Sequence, residues 1–151
     1  MVEPIQSKVC THCKKIRLLI LFPKAGHGAW KGKYVSSWCS DCHRDVSTAR
    51  RTKMRQDAFR AYSRGVTPSC ECCEETEEVF LCLDHPSGNG KEHRAELGVP
   101  ASGAPFFEAL HRAGYPPGLR ILCCNCNMAT RYGRVCPHQQ RRDAQLQEEN
   151  K

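Results

Sequence analysis

A small α+β chain built from two zinc-stapled units is the fold class this sequence predicts, and three observations predict it. Twelve of its 151 residues are cysteine, and eight of these fall into four Cys-x-x-Cys pairs. Aromatic residues make up only 7% and mean hydropathy is −0.58, so a hydrophobic core is thin and metal bonds must supplement it. Short apolar runs bounded by Gly and Pro alternate with longer polar stretches of helical period.

The first unit is assigned to residues 1–43. Cys10-Thr-His-Cys13 and Cys39-Ser-Asp-Cys42 supply four thiolates, the set that closes a tetrahedral Zn2+ site of the structural kind. His12 and His43 adjoin these ligands without being needed as ligands. Residues 16–22 are a short apolar strand candidate, and Gly26, Gly28 and Gly32 mark a turn region after it. Trp30, Tyr34 and Trp38 are expected to pack over this knuckle, with base stacking as the other use of such rings.

A basic linker helix is assigned to residues 44–66. No Pro or Gly interrupts residues 44–64. Met54, Ala58, Ala61 and Tyr62 make an apolar stripe. Arg44, Arg51 and Arg55 make a second stripe, with Arg50, Lys53, Arg60 and Arg64 adding charge that only Asp45 and Asp57 oppose. Such a face suits either solvent or a phosphate backbone.

Gly65-Val-Thr-Pro68 sets a boundary, and the second unit is assigned to residues 67–138. Cys70-Glu-Cys-Cys73 opens it. Residues 79–83 form a strand that delivers Asp84 and His85 at its end. Residues 86–90 are turn chemistry, and residues 91–97 form a short helix. A second helix covers residues 105–113, with Pro105 near its first turn and Gly114 beyond its end. Residues 119–122 are the returning strand, and Cys123-Cys-Asn-Cys126 leads into a helix starting near residues 125–128.

The outer cysteines of the second unit, Cys70, Cys73, Cys123 and Cys126, close a second structural zinc site across a loop of about fifty residues. Cys72 and Cys124 lie inside the pairs, where spacing disfavours them as ligands. Cys136 and His138 could supply two ligands to another metal, with His93 as a candidate third and no fourth partner identified. Cys82 is read as core and His111 as structural. Residues 139–151 are a polar tail, either a frayed helix or disordered.

Lys and Arg number 23 against 16 acids, a net charge of +7 with His neutral. The excess favours a polyanionic partner such as DNA. Residues 18–22 are too few to span a bilayer and end at Pro23, so no membrane role is expected. Residues 1–5 have no basic stretch feeding an apolar one. Paired cysteines without a leader fit a reducing, intracellular, cytoplasmic setting.

The chemistry-bearing group is Asp84-His85 together with Asn127, which follows Cys126 directly. A carboxylate and an amide oxygen can hold a hard divalent cation. An imidazole, with an ordinary pKa near 6.5, can take a proton from water. A zinc-stapled frame that brings the three together meets the needs of a small metal-dependent nuclease.

On these residues the chain resembles the HNH endonuclease superfamily, also called ββα-metal or His-Me finger nucleases. The resemblance rests on Leu83-Asp84-His85 after a strand and Leu122-Cys-Cys-Asn-Cys-Asn127 opening a helix. It is closest to phage-type zinc-knuckle members, including the recombination endonuclease VII group. The wider string DHPSGNGKEHR over residues 84–94, then YPPG, LCCNCNMA and CPH, carries the likeness through residues 70–138.

That resemblance implies a ββα-metal, treble-clef-like core. It implies His85 as general base, and Asp84 and Asn127 holding one Mg2+ or Mn2+ at the scissile phosphate, with a 5′-phosphate product. Arg94 and His93, and the linker's Arg44, Arg51 and Arg55, would contact DNA phosphates. Many members orient the base with an Asn before the returning strand. Here Pro117-Gly118-Leu119 stands there, leaving Asn89 or a backbone carbonyl for that role. The rival reading is a non-catalytic zinc module binding nucleic acid or protein, such as a phage-type regulator. A third is a junction-resolving nuclease acting as a homodimer, although no long heptad run provides a dimer seam. A phage-encoded protein would work in the cytoplasm of a bacterial host.

Overall fold

The computed structural model describes residues 6–26, 32, 34–99 and 102–149; Gly28 and Trp30 lie outside the described residues. The chain divides into two compact units, residues 1–52 and 53–151. The division falls inside helix α1 (Ser40–Tyr62), which runs from the first unit into the second. No helix among the described residues is long and apolar enough to cross a membrane.

In the first unit, β1 (Ser7–Val9) and β2 (Ile16–Leu18) form an antiparallel hairpin whose last pair is Val9 with Ile16. The turn between them carries Cys10 and Cys13. Lys14 adopts a left-handed φ of +61°, its N–H donates to the Cys10 carbonyl at 2.9 Å, and the Cys10 N–H donates to Lys15. The expected strand over residues 16–22 stops at Leu18, and Leu19–Leu21 form a 3-10 turn. A continuing strand would put Ile20 and Phe22 on one face. The turn separates them, leaving Ile20 exposed and Phe22 buried.

β3 (Lys24–Ala25) and β4 (Tyr34–Val35) make a second short antiparallel pair. Helix α1 starts at Ser40, four residues before the expected start, so that Cys39 and Cys42 bracket its first turn. The core of this unit consists of Cys10, Phe22, Cys39 and Cys42, with Cys13 and Trp38 packed against it. Trp38 also stacks near His12, with ring centroids 4.5 Å apart, whereas Tyr34 is exposed.

In the second unit the end of α1 buries Ala58 and Phe59, and the Tyr62 hydroxyl donates to the Pro116 carbonyl at 2.8 Å. Ala61, expected on the apolar stripe, is exposed, and Phe59 takes the central place instead. β5 (Leu81–Asp84) pairs antiparallel with β6 (Arg120–Cys123), from Leu81 opposite Cys123 to Asp84 opposite Arg120. A 3-10 turn at Glu78–Phe80 delays the start of β5. The connection holds α2 (Gly90–Glu96) and α3 (Ala104–Arg112). Helix α3 turns Phe106, Ala109 and Leu110 into a cluster with Val99, the i, i+3, i+4 pattern of a one-sided helix.

Helix α4 (Cys124–Thr130) follows β6 directly, and α5 (Pro137–Glu149) closes the described chain. The polar tail expected from residue 139 is therefore helical. Phe59, Leu81, Ile121 and Leu122 pack with Cys70, Cys72, Cys123, Cys126 and Cys136 as the main core. Each large apolar side chain buried there contributes about 1.5–3 kcal/mol.

Candidate functional site

Both four-cysteine groups are assembled by one device, a knuckle turn facing a helix start. In the second unit Glu74 has a φ of +64°, its N–H donates to the Cys70 carbonyl at 2.9 Å, and the Cys70 N–H donates to Glu75. This repeats the hydrogen bonds of the Cys10 turn. The facing pair lies at the start of α1 in one case and of α4 in the other. Within each group, Cys10, Cys13, Cys39 and Cys42, or Cys70, Cys73, Cys123 and Cys126, one Sγ per residue lies within 4.8 Å of every other. Both groups have the geometry to hold zinc.

Backbone N–H groups support these sulfurs. Cys39 N–H donates to Cys10 Sγ, Cys72 N–H to Cys70 Sγ and Cys126 N–H to Cys123 Sγ, at 3.3–3.4 Å. Donors at a helix N-terminus favour the anionic sulfur that metal binding requires. His12 and His43 are not ligands, and the His43 Nε2 pairs with the Ser36 hydroxyl at 2.7 Å.

Asp84, His85, Arg94 and Asn127 line one open cleft of about 590 Å3, together with Gly90, Arg120, Thr130 and Arg131. β5 ends at Asp84, so His85 emerges where the strand stops, and α4 presents Asn127 in its first turn. The Asn127 amide nitrogen donates to Cys82 Sγ at 3.1 Å, and the Cys82 thiol donates in turn to the Leu122 carbonyl at 3.3 Å. Burial pushes that thiol up to about 11, keeping the donor proton in place. With its nitrogen engaged there, Asn127 has its oxygen as the remaining donor atom.

Asp84 Oδ2 accepts from Arg120 Nε at 2.7 Å, a cross-strand pair of opposite charges. His85 Nε2 lies 2.9 Å from His93 Nδ1. Burial first, then the neighbouring His93 and Arg94 side chains, hold the His85 imidazole below its ordinary pKa, against an opposing pull from Asp84. The other ring nitrogen, Nδ1, faces Gly90, where an added Cβ would stand 3.0 Å away. Gly90 therefore packs its backbone against that nitrogen with no room for a side chain.

Several expected roles fall elsewhere. His93 is read from sequence as a phosphate contact and a possible metal ligand, and in the structure its Nδ1 meets His85. Asn89, the candidate orienting residue, precedes α2 and caps it with no side-chain hydrogen bond. Arg55 is held by protein groups. Its Nη2 donates to the Glu78 and Leu81 carbonyls at 2.7 and 2.9 Å, and its guanidinium lies 5.0 Å from the Phe59 ring centroid. Arg44 pairs with Asp41 at 2.7 Å, and Arg51 is exposed. His111 Nδ1 lies 3.1 Å from the Tyr115 hydroxyl.

Sequence reasoning missed Arg120 and Arg131. Arg120 was accessible through strand register, once Leu81 is set opposite Cys123. It also did not gather Cys72, Cys126, Cys136 and His138, whose ligand atoms all lie within 4.8 Å of one another. No protein-family model matches the chain, and neither a curated protein nor a solved structure matches it.

Proposed function

We propose that the chain is a metal-dependent endonuclease of the HNH type, hydrolysing DNA phosphodiester bonds. The observation that carries this reading is the convergence of Asp84, His85, Asn127 and Arg94 on one cleft. The order β5, β6, α4, two antiparallel strands followed directly by a helix, accords with a ββα-metal, treble-clef-like core. A net charge of +7 and three cleft arginines suit a phosphodiester substrate.

The donors in the cleft fit a hard cation. Asp84 and Asn127 offer oxygens, suited to Mg2+ or Mn2+, while thiolates elsewhere suit zinc. Such an ion, when bound, supplies Lewis-acid stabilisation of charge on the scissile phosphate and the leaving 3′ oxygen. His85 gives its Nε2 proton to the hydrogen bond with His93, which leaves Nδ1 with its lone pair. A water in the cleft loses its proton to Nδ1 as it attacks phosphorus and the 3′ oxygen leaves. The depressed pKa of His85 keeps the ring neutral and able to accept that proton. His93 is a positioning residue, and Arg94 and Arg131 grip the phosphate.

Supercoiled plasmid with Mg2+ or Mn2+ tests the reading: wild type nicks or linearises it, and His85→Ala abolishes cutting. A specific observation favours one rival. Asp84 and His85 are both held by protein partners, Arg120 and His93, as they would be in a zinc module that binds DNA without cutting it. Wild type that shifts DNA on a gel yet stays inert with every divalent ion establishes that rival.

A further inference from the structure

The two metal-ligating groups of the second unit share a residue. Cys126 belongs both to the set Cys70, Cys73, Cys123, Cys126 and to the set Cys72, Cys126, Cys136, His138. We propose that these seven side chains form a dinuclear zinc centre in which the Cys126 thiolate bridges the two ions. One ion takes Cys70, Cys73 and Cys123, the other Cys72, Cys136 and His138, and Cys126 completes both tetrahedra.

Distances support two full coordination shells. Zinc–sulfur bonds of about 2.3 Å and zinc–nitrogen bonds of about 2.0–2.1 Å place ligand atoms of one tetrahedron about 3.5–3.8 Å apart. Cys73 and Cys123 sulfurs are 3.6 Å apart. His138 Nδ1 lies 3.3 Å from Cys126 Sγ and 3.6 Å from Cys136 Sγ. The ligands arrive from three places: the Cys70 knuckle, the start of α4, and the start of α5. Random crowding of thiols would not give each set four members with one held in common.

Burial points the same way. Cys126 is fully buried, and Cys136 and Cys72 are 1% and 7% exposed. Sulfur carries enough lone pairs to bind two soft cations at once, and zinc tolerates a shared thiolate because it imposes no preferred d-electron geometry. Six thiolates and two Zn2+ leave a residual negative charge. Arg142 meets it: its Nη1 donates to the Cys72 carbonyl and its Nη2 lies 4.0 Å from Cys72 Sγ. The consecutive cysteines of Cys70-Glu-Cys-Cys73 are thereby divided, Cys70 and Cys73 to one ion and Cys72 to the other. The proposal does not depend on the nuclease reading.

The test is metal counting and cadmium NMR on the full chain. Native mass spectrometry of zinc-loaded protein is expected to find three ions per chain, one in the first unit and two here. In protein loaded with 113Cd, proton–cadmium correlation is expected to connect the Cys126 β-protons to two cadmium resonances, and every other ligating cysteine to one. His138→Ala combined with Cys136→Ser is expected to lower the count to two, with the Cys70 set still loaded. Two ions per wild-type chain would overturn the proposal. So would three ions with the Cys126 β-protons coupled to a single resonance.

Discussion

Replacing Gly90 with alanine tests the geometry of the cleft without touching a reacting group. Gly90 opens α2, where alanine is the better helix former by up to about 1 kcal/mol. Its Cβ, however, would stand 3.0 Å from His85 Nδ1 and 3.4 Å from both His85 Cε1 and Arg94 Nη1. The closest of these lies about 0.4 Å inside comfortable contact, so the ring must shift by about that much. Misplacement of about 1 Å costs on the order of 10²-fold in rate, so the shift predicts about a five- to tenfold fall in kcat.

Strain of about 1–3 kcal/mol offsets the gain in helix propensity, so Tm should fall only slightly. The assays are plasmid nicking at saturating DNA, thermal unfolding, and the nitrogen-15 spectrum of the imidazoles, where the His85–His93 signature should move. A Gly90→Ala protein that cuts at the wild-type rate, when His85→Ala is dead, would refute Nδ1 as the proton-accepting atom.

Other perturbations follow from the same contacts. Phe59→Ala empties the centre of the second core, where Phe59 is 1% exposed and meets Phe107 edge-on at 6.2 Å; chemical denaturation should read a loss of about 3–5 kcal/mol. Arg55→Met leaves the Glu78 and Leu81 carbonyls without their donor, and the same measurement should show a loss of about 2–3 kcal/mol. DNA affinity and its salt dependence should stay unchanged in that variant, whereas an Arg55 bound to phosphate would flatten the salt slope. A strong zinc chelator should abolish the dispersed proton spectrum of the first unit, since apparent zinc binding of about 10–16 kcal/mol outweighs anything one buried phenylalanine supplies; retained dispersion would show a fold that stands without metal.

Cysteine spacing made both zinc groups legible, because Cys-x-x-Cys places two sulfurs on one side of a tight turn whatever surrounds it. The β5 and β6 strands and helices α2 to α4 were legible from apolar runs and from their Gly and Pro bounds. Phe59 was hidden because α1 is polar around most of its circumference, and only tertiary packing selects its buried side. Arg55 looked like a surface charge for the same reason. The contact between His85 and His93 depends on how the turn at residues 86–90 lays α2 across the strand end. Sequence fixes no such angle. Cys136 and His138 were legible as a pair, but Cys72 and Cys126 were not joined to them, since that partnership spans more than sixty residues and depends on which way Cys72 leaves its turn.

Among the described residues the interior of the first unit holds Cys10, Cys39, Cys42 and a single large buried apolar side chain, Phe22, with Cys13 and Trp38 packed against them. Oily cores are self-sufficient once synthesised, whereas this one, if zinc fills its four-cysteine group, is provisioned from outside. Its folded population then tracks the free zinc of its surroundings by mass action, and thiol oxidants act on it as denaturants. Where zinc is scarce, newly made chains stay open to proteases and lose abundance, although no residue of the cleft has changed.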